Sequence, residues 1–251
     1  MDRTFEDLVA EAAAAPMAGW DFSWLDGRAT EQRPSWGYQR LMSARLATVT
    51  AALDLETGGG EVLAEAEAFP PTMAATESWP PNLATATALL HPRGVVVVAQ
   101  AEGAPLPFAD AAFDLVTSRH PATIRWDEIA RVLRPGGSYL AQHVGAASVF
   151  ELVEYFLGPQ PEARRARDPE VEAADARAAG LDIVDLRSER LRVEFGDIGA
   201  IVYFLRKVIW LVPGFTVEAY RDRLRALHER IVREGPFVAH AARTLVEARK
   251  P

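Results

Sequence analysis

Residues 51–63 read AALDLETGGGEVL. A short apolar run breaks into Gly58-Gly59-Gly60, and helix-forming residues resume directly after it. That order predicts a buried strand over Ala51–Leu55, a tight turn, and a helix near Gly60–Ala66. The first N–H groups of a helix lack partners within it, so such a turn suits a polar or anionic ligand. Asp54 at the carboxyl end of the strand and the turn beyond it read as a nucleotide-type site.

Outward from this stretch, strand and helix signals alternate at the spacing of βαβ units, which implies a parallel sheet with right-handed crossovers. Strands are predicted near Thr72–Thr76, Val95–Ala99, Phe113–Thr117 and Ser138–His143. Helices fall near Pro81–Leu90, Trp126–Leu133, Ala147–Leu157 and Glu170–Ala179, the last stopped by Gly180. Leu181–Leu186 alternates as a further strand. Asp197 is placed to cap a helix through Ile201, Phe204 and Val208, and Thr216 another, striped by Tyr220, Leu224, Leu227 and Ile231. A last strand follows at Phe237–Glu247. Upstream, a helix runs from Thr4 to about Ala15, then a loop holding Trp20, Phe22, Trp24, Trp36 and Tyr38, then a helix through Leu41, Leu46 and Val49.

The chain has 251 residues, 49% hydrophobic and 25% charged, enough for one large core with an elaboration. It has no cysteine, which excludes disulfides and thiolate metal sites. Its formal net charge of −8 argues against a polyanionic partner and favours a small-molecule substrate. The Arg164-Arg165-x-Arg167 cluster lies among prolines and acids and reads as a solvated loop. The opening MDRTFEDLVAEAAAA lacks the basic start and apolar core of a signal peptide. The apolar segment Ile201–Val212 is interrupted by Arg206 and Lys207 and is too short to span a bilayer. A cytoplasmic protein with no membrane partner is expected, with its oligomeric state open.

Three blocks carry the chemistry. The first is the strand and glycine turn at 51–63. The second is PLPFADAAFDLVTSRH (105–120), and the third IARVLRPGGSYL (129–140), where Pro135 ends a helix and Gly136-Gly137 permit a sharp reversal. In this order they resemble the class I S-adenosylmethionine (SAM)-dependent methyltransferases, of the type 11 kind, over roughly residues 50–145. The resemblance implies a doubly wound, Rossmann-like α/β fold with a seven-stranded sheet. The expected division is an N-terminal helical cap (1–50), a SAM-binding core (51–195), a helical lid inserted before the last strand (196–235), and that strand (236–251).

The resemblance also assigns tasks. Asp54 and the turn Glu56, Thr57, Gly58 and Gly60 belong beside the methionine end of SAM. Glu77, with Ser78, belongs on the ribose, where an acid accepts hydrogen bonds from the hydroxyls. Gln100, Ala101 and Glu102 stand where the family often places an acid toward the adenine, and Gln100 can accept only through an uncharged carbonyl. Ser118 and Arg119 border the transferred methyl. Glu56 occupies the place of the motif's first glycine. In an extended conformation its carboxylate meets the cofactor's ammonium; pointing inward without that partner, it repels the ligand's carboxylate.

Methyl transfer is an in-line displacement, driven largely by alignment and exclusion of water. A neutral acceptor can also need a base, and His120 and His143, at strand ends, are the candidates, each against a structural hydrogen-bonding role. Trp36, Tyr38, Tyr203, Trp210 and Phe215 are candidates for an apolar acceptor pocket, each against a plain core role. The leading reading is a small-molecule methyltransferase. Competing readings are a SAM-fold protein that binds without catalysis, an rRNA methyltransferase, and, last, an NAD-dependent oxidoreductase.

Overall fold

The computed structural model of the chain describes residues 3–17, 19–101 and 103–251. In chain order the N-terminal half runs α1 (Phe5–Ala14), β1 (Ala29–Glu31), α2 (Tyr38–Leu46), β2 (Ala51–Leu55), α3 (Glu61–Ala64), β3 (Thr72–Glu77), α4 (Pro80–Leu90) and β4 (Val96–Ala99). Next come β5 (Phe113–Arg119), α5 (Trp126–Val132), β6 (Leu133–Val144), α6 (Phe150–Leu157) and α7 (Pro169–Ala178). The chain closes with β7 (Asp182–Phe195), α8 (Ile198–Lys207), α9 (Arg221–Glu234) and β8 (Phe237–Arg249). The strands hydrogen-bond in the order β1-β7-β8-β6-β5-β2-β3-β4. Pairing is parallel from β6 through β4 and antiparallel where β8 meets β6. This is the doubly wound α/β sheet the sequence predicts, with eight strands rather than seven.

The chain forms two compact units. The larger comprises residues 34–146, 167–189 and 243–251. Its central strand β2 is buried on both faces, as a covered parallel sheet requires. Ala51 and Leu53 join a core with Trp126 and Ile129 of α5 and Ala176 of α7, whereas Ala52 joins Met42 and Leu46 of α2 and Ala86 and Leu90 of α4. The smaller unit comprises residues 1–33, 147–166 and 190–242. Its core gathers α1, α6, α8 and α9 through residues such as Leu8, Phe156, Ile201 and Leu227. The capping box that starts α1 is complete: Asp7 N–H donates to the Thr4 hydroxyl, and Thr4 N–H to the Asp7 carboxylate.

Several boundaries differ from the sequence reading. The helix after the glycine turn is a single turn, Glu61–Ala64, shorter than the Gly60–Ala66 read from sequence. α6 starts at Phe150 rather than Ala147, since Ala147 (φ 52°) and Val149 (φ 59°) adopt the left-handed conformation. β7 runs for 14 residues, through a polar stretch whose solvent-facing side hides the alternation. Thr216 accepts from Ala219 N–H in a local turn, and α9 begins only at Arg221. The three-residue β1, paired antiparallel with β7, carries no signal strong enough to read.

Candidate active site

The parallel strand order reverses at β2, which has β3 on one side and β5 on the other. In sheets of this class the crevice outside the carboxyl ends of the strands at such a reversal binds ligands. Register places Asp54 of β2 opposite Thr117 of β5, and Leu55 opposite Ser118. The Thr117 hydroxyl donates to the Asp54 carboxyl at 2.5 Å, so a side-chain bridge spans the switch point itself. Asp54 is 6% exposed. Burial pushes its carboxyl up to about 6, against the opposing pull of the Thr117 hydroxyl. The Thr57 oxygen is buried near it yet outside hydrogen-bonding geometry, without a partner among the described residues.

The turn is tied to β3. Glu56 N–H donates to the Thr76 hydroxyl and Thr57 N–H to the Thr76 carbonyl. Glu77, closing β3, accepts from Gly58 N–H through one oxygen and from Ser78 and Trp79 N–H through the other, each at 2.8 Å. A carboxylate has about four lone-pair sites, so roughly one remains for a ligand. Gly60 has φ 85°, and a Cβ there would sit 2.8 Å from the Leu90 side chain, so packing against α4 as well as conformation demands glycine.

After β4, the Gln100 amide nitrogen donates to the carbonyls of Ala101, Ala104 and Pro105. Arg125 adds bonds to the carbonyls of Gly103 and Ala104. The loop is thus stapled by donors from both sides, and Ala101 contributes backbone only. Glu102 lies outside the described residues.

Beyond β5 the chain turns sharply at His120, φ 57°. The carboxylate of Glu56 accepts from Ala122 N–H at 2.5 Å and Thr123 N–H at 3.4 Å. Arg167 holds the same loop from the opposite polarity, donating to the carbonyls of Pro121 and Ala122. Burial raises the Glu56 carboxyl above its ordinary value, opposed by those two N–H groups. His120 N–H donates to the Gln142 carbonyl, and the Gln142 side chain bridges Trp36 Nε1 (2.8 Å) and His120 Nε2 (3.0 Å). Tyr38 donates to the Ser118 carbonyl at 2.9 Å, while the Ser118 hydroxyl donates to the Leu55 carbonyl. His143 is 0% exposed, with Nδ1 2.8 Å from Glu172 and Nε2 3.0 Å from the Tyr139 hydroxyl.

Residues 53–141 match the sequence pattern of a methyltransferase domain family, a segment holding Asp54, the glycine turn, Glu77 and both loops. Over these residues the chain carries a methyltransferase domain. Solved structures share the fold at low identity. A candidate methyltransferase of Bacillus halodurans C-125 is 20% identical, with a TM-score of 0.60 over 85% of this chain and 98% of its own. The [4+2]-cyclase SpnF is 19% identical, with a TM-score of 0.52 over 97% and 91%. A SAM-dependent methyltransferase from Geobacter sulfurreducens, solved with S-adenosyl-L-homocysteine, is 16% identical, with a TM-score of 0.51 over 86% and 92%. No curated protein matches the chain in sequence.

Within the methyltransferase domain, Asp54, Glu77 and Ser118 lie near the carboxyl ends of β2, β3 and β5, with Glu56, Thr57 and Gly58 in the turn after β2, His120 just beyond β5 and Gln100 just beyond β4. Three readings that the sequence left open take definite geometry, those of Glu56, His143 and the Trp36–Tyr38 pair, and that of Arg167 needs correction. Glu56 is left-handed (φ 53°) rather than extended, and its carboxylate meets loop N–H groups. His143 is enclosed, with both ring nitrogens partnered, so it faces no acceptor. Arg167 belongs to a loop clamp rather than to a solvated run, although Arg164 does pair at the surface with Glu154. Trp36 and Tyr38 spend their polar atoms on Gln142 and Ser118 and are buried in the core of the larger unit.

The other aromatics belong to the smaller unit. Tyr203 is buried, stacks on Trp24 at 4.7 Å and donates to the Asp21 carbonyl. It borders a cleft of about 320 Å³ with Pro16, Asp21, Ser23 and Trp24. Trp210 is 60% exposed and meets Trp20 edge-on, and Phe215 stacks on Tyr220. A second cleft, about 270 Å³ and lined by Arg45, Asp114 and Arg134 among others, opens where β5 and β6 begin, away from the glycine turn. Among the described residues no helix is long and apolar enough to cross a membrane. Sequence reasoning passed over Thr117, Gln142 and Arg167, whose roles depend on partners far along the chain.

Proposed function

We propose that this domain binds SAM at the crevice outside β2 and β5 and moves its methyl group to a small-molecule acceptor. The observation that carries the reading is the Asp54–Thr117 bridge across the switch point, beside the unpartnered Thr57 hydroxyl. A buried hydroxyl without a partner costs about 1–3 kcal/mol, and a ligand's polar group in the turn would recover it. The residues present fit the cofactor, which when bound supplies a sulfonium-activated methyl carbon. Asp54 and Thr57 would hold its amino-acid end. Glu77 would take a ribose hydroxyl with its remaining lone pair. Gln100 has only its carbonyl oxygen left for the adenine, since its amide nitrogen serves the loop.

No residue here needs to supply electrons. The domain's part is to hold donor and acceptor in line and to exclude water, the terms that dominate such displacements. The acidic balance of the chain supports a small acceptor over RNA. Titration calorimetry with S-adenosylhomocysteine tests the binding: heat is expected at micromolar ligand, and none at millimolar ligand would sink the reading. Glu77→Ala is expected to weaken that binding at least tenfold. A second reading, a binding protein that transfers no methyl, draws support from the two histidines, neither of which has an Nε2 lone pair free. It predicts the same heat, with no conversion of SAM to S-adenosylhomocysteine across amine, carboxylate and phenol acceptors.

A further inference from the structure

The side chains of Trp36, Gln142 and His120 form a chain whose direction chemistry alone determines. An indole N–H only donates, so the Gln142 atom 2.8 Å from Trp36 Nε1 must be its carbonyl oxygen. The other end of that amide, 3.0 Å from His120 Nε2, is then an NH₂ group, which only donates. His120 Nε2 must accept, so its lone pair is occupied and the ring proton resides on Nδ1. The backbone reinforces the placement: His120 N–H donates to the Gln142 carbonyl at 2.7 Å, just beyond the last register pair of β5 and β6, Arg119 with Gln142. The loop beyond is fixed from both sides by Glu56 and Arg167.

We propose that Trp36 and Gln142 are positioning residues that hold His120 as a neutral, Nδ1-protonated ring, one that gives a hydrogen bond and takes no proton. Nδ1 has no partner among the described residues, so its N–H is available to a lone pair on a bound acceptor. Taking up a proton at Nε2 would set two donors against each other at 3.0 Å. The surroundings act in the same sense. Burial, with the cations Arg119, Arg243 and Arg167 and the neighbouring His143 ring, holds the imidazole well below its ordinary protonation range. The groups facing it are therefore mostly positive, and the one nearby acid in the loop clamp, Glu56, is engaged with Ala122 and Thr123.

The use of this donor rests on the methyltransferase reading; its existence does not. Within that reading, the domain suits acceptors that arrive with a lone pair already exposed, such as an unprotonated amine or a carboxylate. An acceptor whose proton had to be removed by His120 is excluded.

The test is the tautomer, read from long-range ¹H–¹⁵N spectra of the full-length protein from about pH 5.5 to about pH 8. The His120 signals are identified by their loss in His120→Asn, a variant whose side-chain amide keeps an N–H near the Nδ1 position and tolerates a left-handed backbone. The expected result is a single neutral Nδ1–H tautomer with no titration in that range. Gln142→Glu keeps an acceptor for Trp36 but offers His120 a carboxylate, and is expected to move the proton to Nε2 or to protonate both nitrogens. Trp36→Phe frees the amide to rotate and is expected to give a mixture of tautomers. An Nε2–H ring in the unaltered protein, or a titration near the ordinary histidine value, overturns the proposal. An unchanged tautomer in Trp36→Phe removes Trp36 from it. Failure to bind S-adenosylhomocysteine in the same samples counts against the methyltransferase reading and leaves the tautomer result standing.

Discussion

Asp54→Asn is expected to stabilise the fold at neutral pH while weakening the cofactor site. The Asp54 carboxyl is raised from 3.8 to about 6 by burial. Well below 3.8 it is protonated whether the chain is folded or not, and its ionisation costs the fold nothing. As pH rises from 4 to 6 the unfolded chain releases this proton and the folded one keeps it, so stability falls with pH. Above 6 the folded carboxyl is charged in a buried position and the cost levels off. A shift of about two units corresponds to about 3 kcal/mol, of which about 2 kcal/mol develops between pH 4.5 and pH 7.5. Asparagine keeps an oxygen for the Thr117 hydroxyl, preserves the volume and never ionises. Urea unfolding of both proteins at the two pH values gives a double difference in which any pH-independent effect of the amide cancels. The variant is expected to gain about 2 kcal/mol on the parent between those two values, with S-adenosylhomocysteine affinity reduced. An advantage that does not grow with pH would refute the burial argument. Binding sites that are costly in the unliganded fold are the usual origin of such a trade.

Glu56→Gly removes a left-handed non-glycine residue, worth about 1–2 kcal/mol, but also the acceptor for Ala122 and Thr123 N–H. Global stability should change little, while hydrogen exchange at those two amides accelerates at least tenfold; Arg167→Ala should do the same, and the double variant less than their sum. Glu128→Gln tests the clamp on the 105–112 loop. The Arg131 guanidinium, with Leu106 N–H, holds the Glu128 carboxyl at about 2, so its contribution of about 3 kcal/mol is full above pH 4.5 and fades as pH falls toward 2. Chemical denaturation should therefore find the variant's deficit full at pH 7 and reduced to about 1 kcal/mol near pH 2.5. Gly60→Ala drives a Cβ into Leu90 at a left-handed position and should cost about 1–3 kcal/mol in the same assay, with the loss partly recovered by Leu90→Ala.

Much of the architecture was legible because its signals are local. β2 is where the apolar run AALDL placed it, and Pro135-Gly136-Gly137 mark the reversal leading into the paired part of β6. Asp197 caps α8 through Ala200 N–H, as its position before an apolar run suggested. Errors arose where distant contacts override local preference. The helix after the glycine turn is shorter than its local signal suggested, and the polar solvent face of β7 masked a long strand.

Asp54 and Glu77 could be singled out from their places at strand ends, and the order of the three blocks led to the methyltransferase family. What the residues do there belongs to the tertiary structure alone. Thr117 is 63 residues from Asp54, and Trp36 is 106 from Gln142. Only strand register and packing decide that they meet. Glu56 illustrates the division. Its sequence marks it as a charged residue in a glycine's place. Only the fold turns its carboxylate from the glycine turn to the loop after β5, where it accepts from the Ala122 and Thr123 N–H groups.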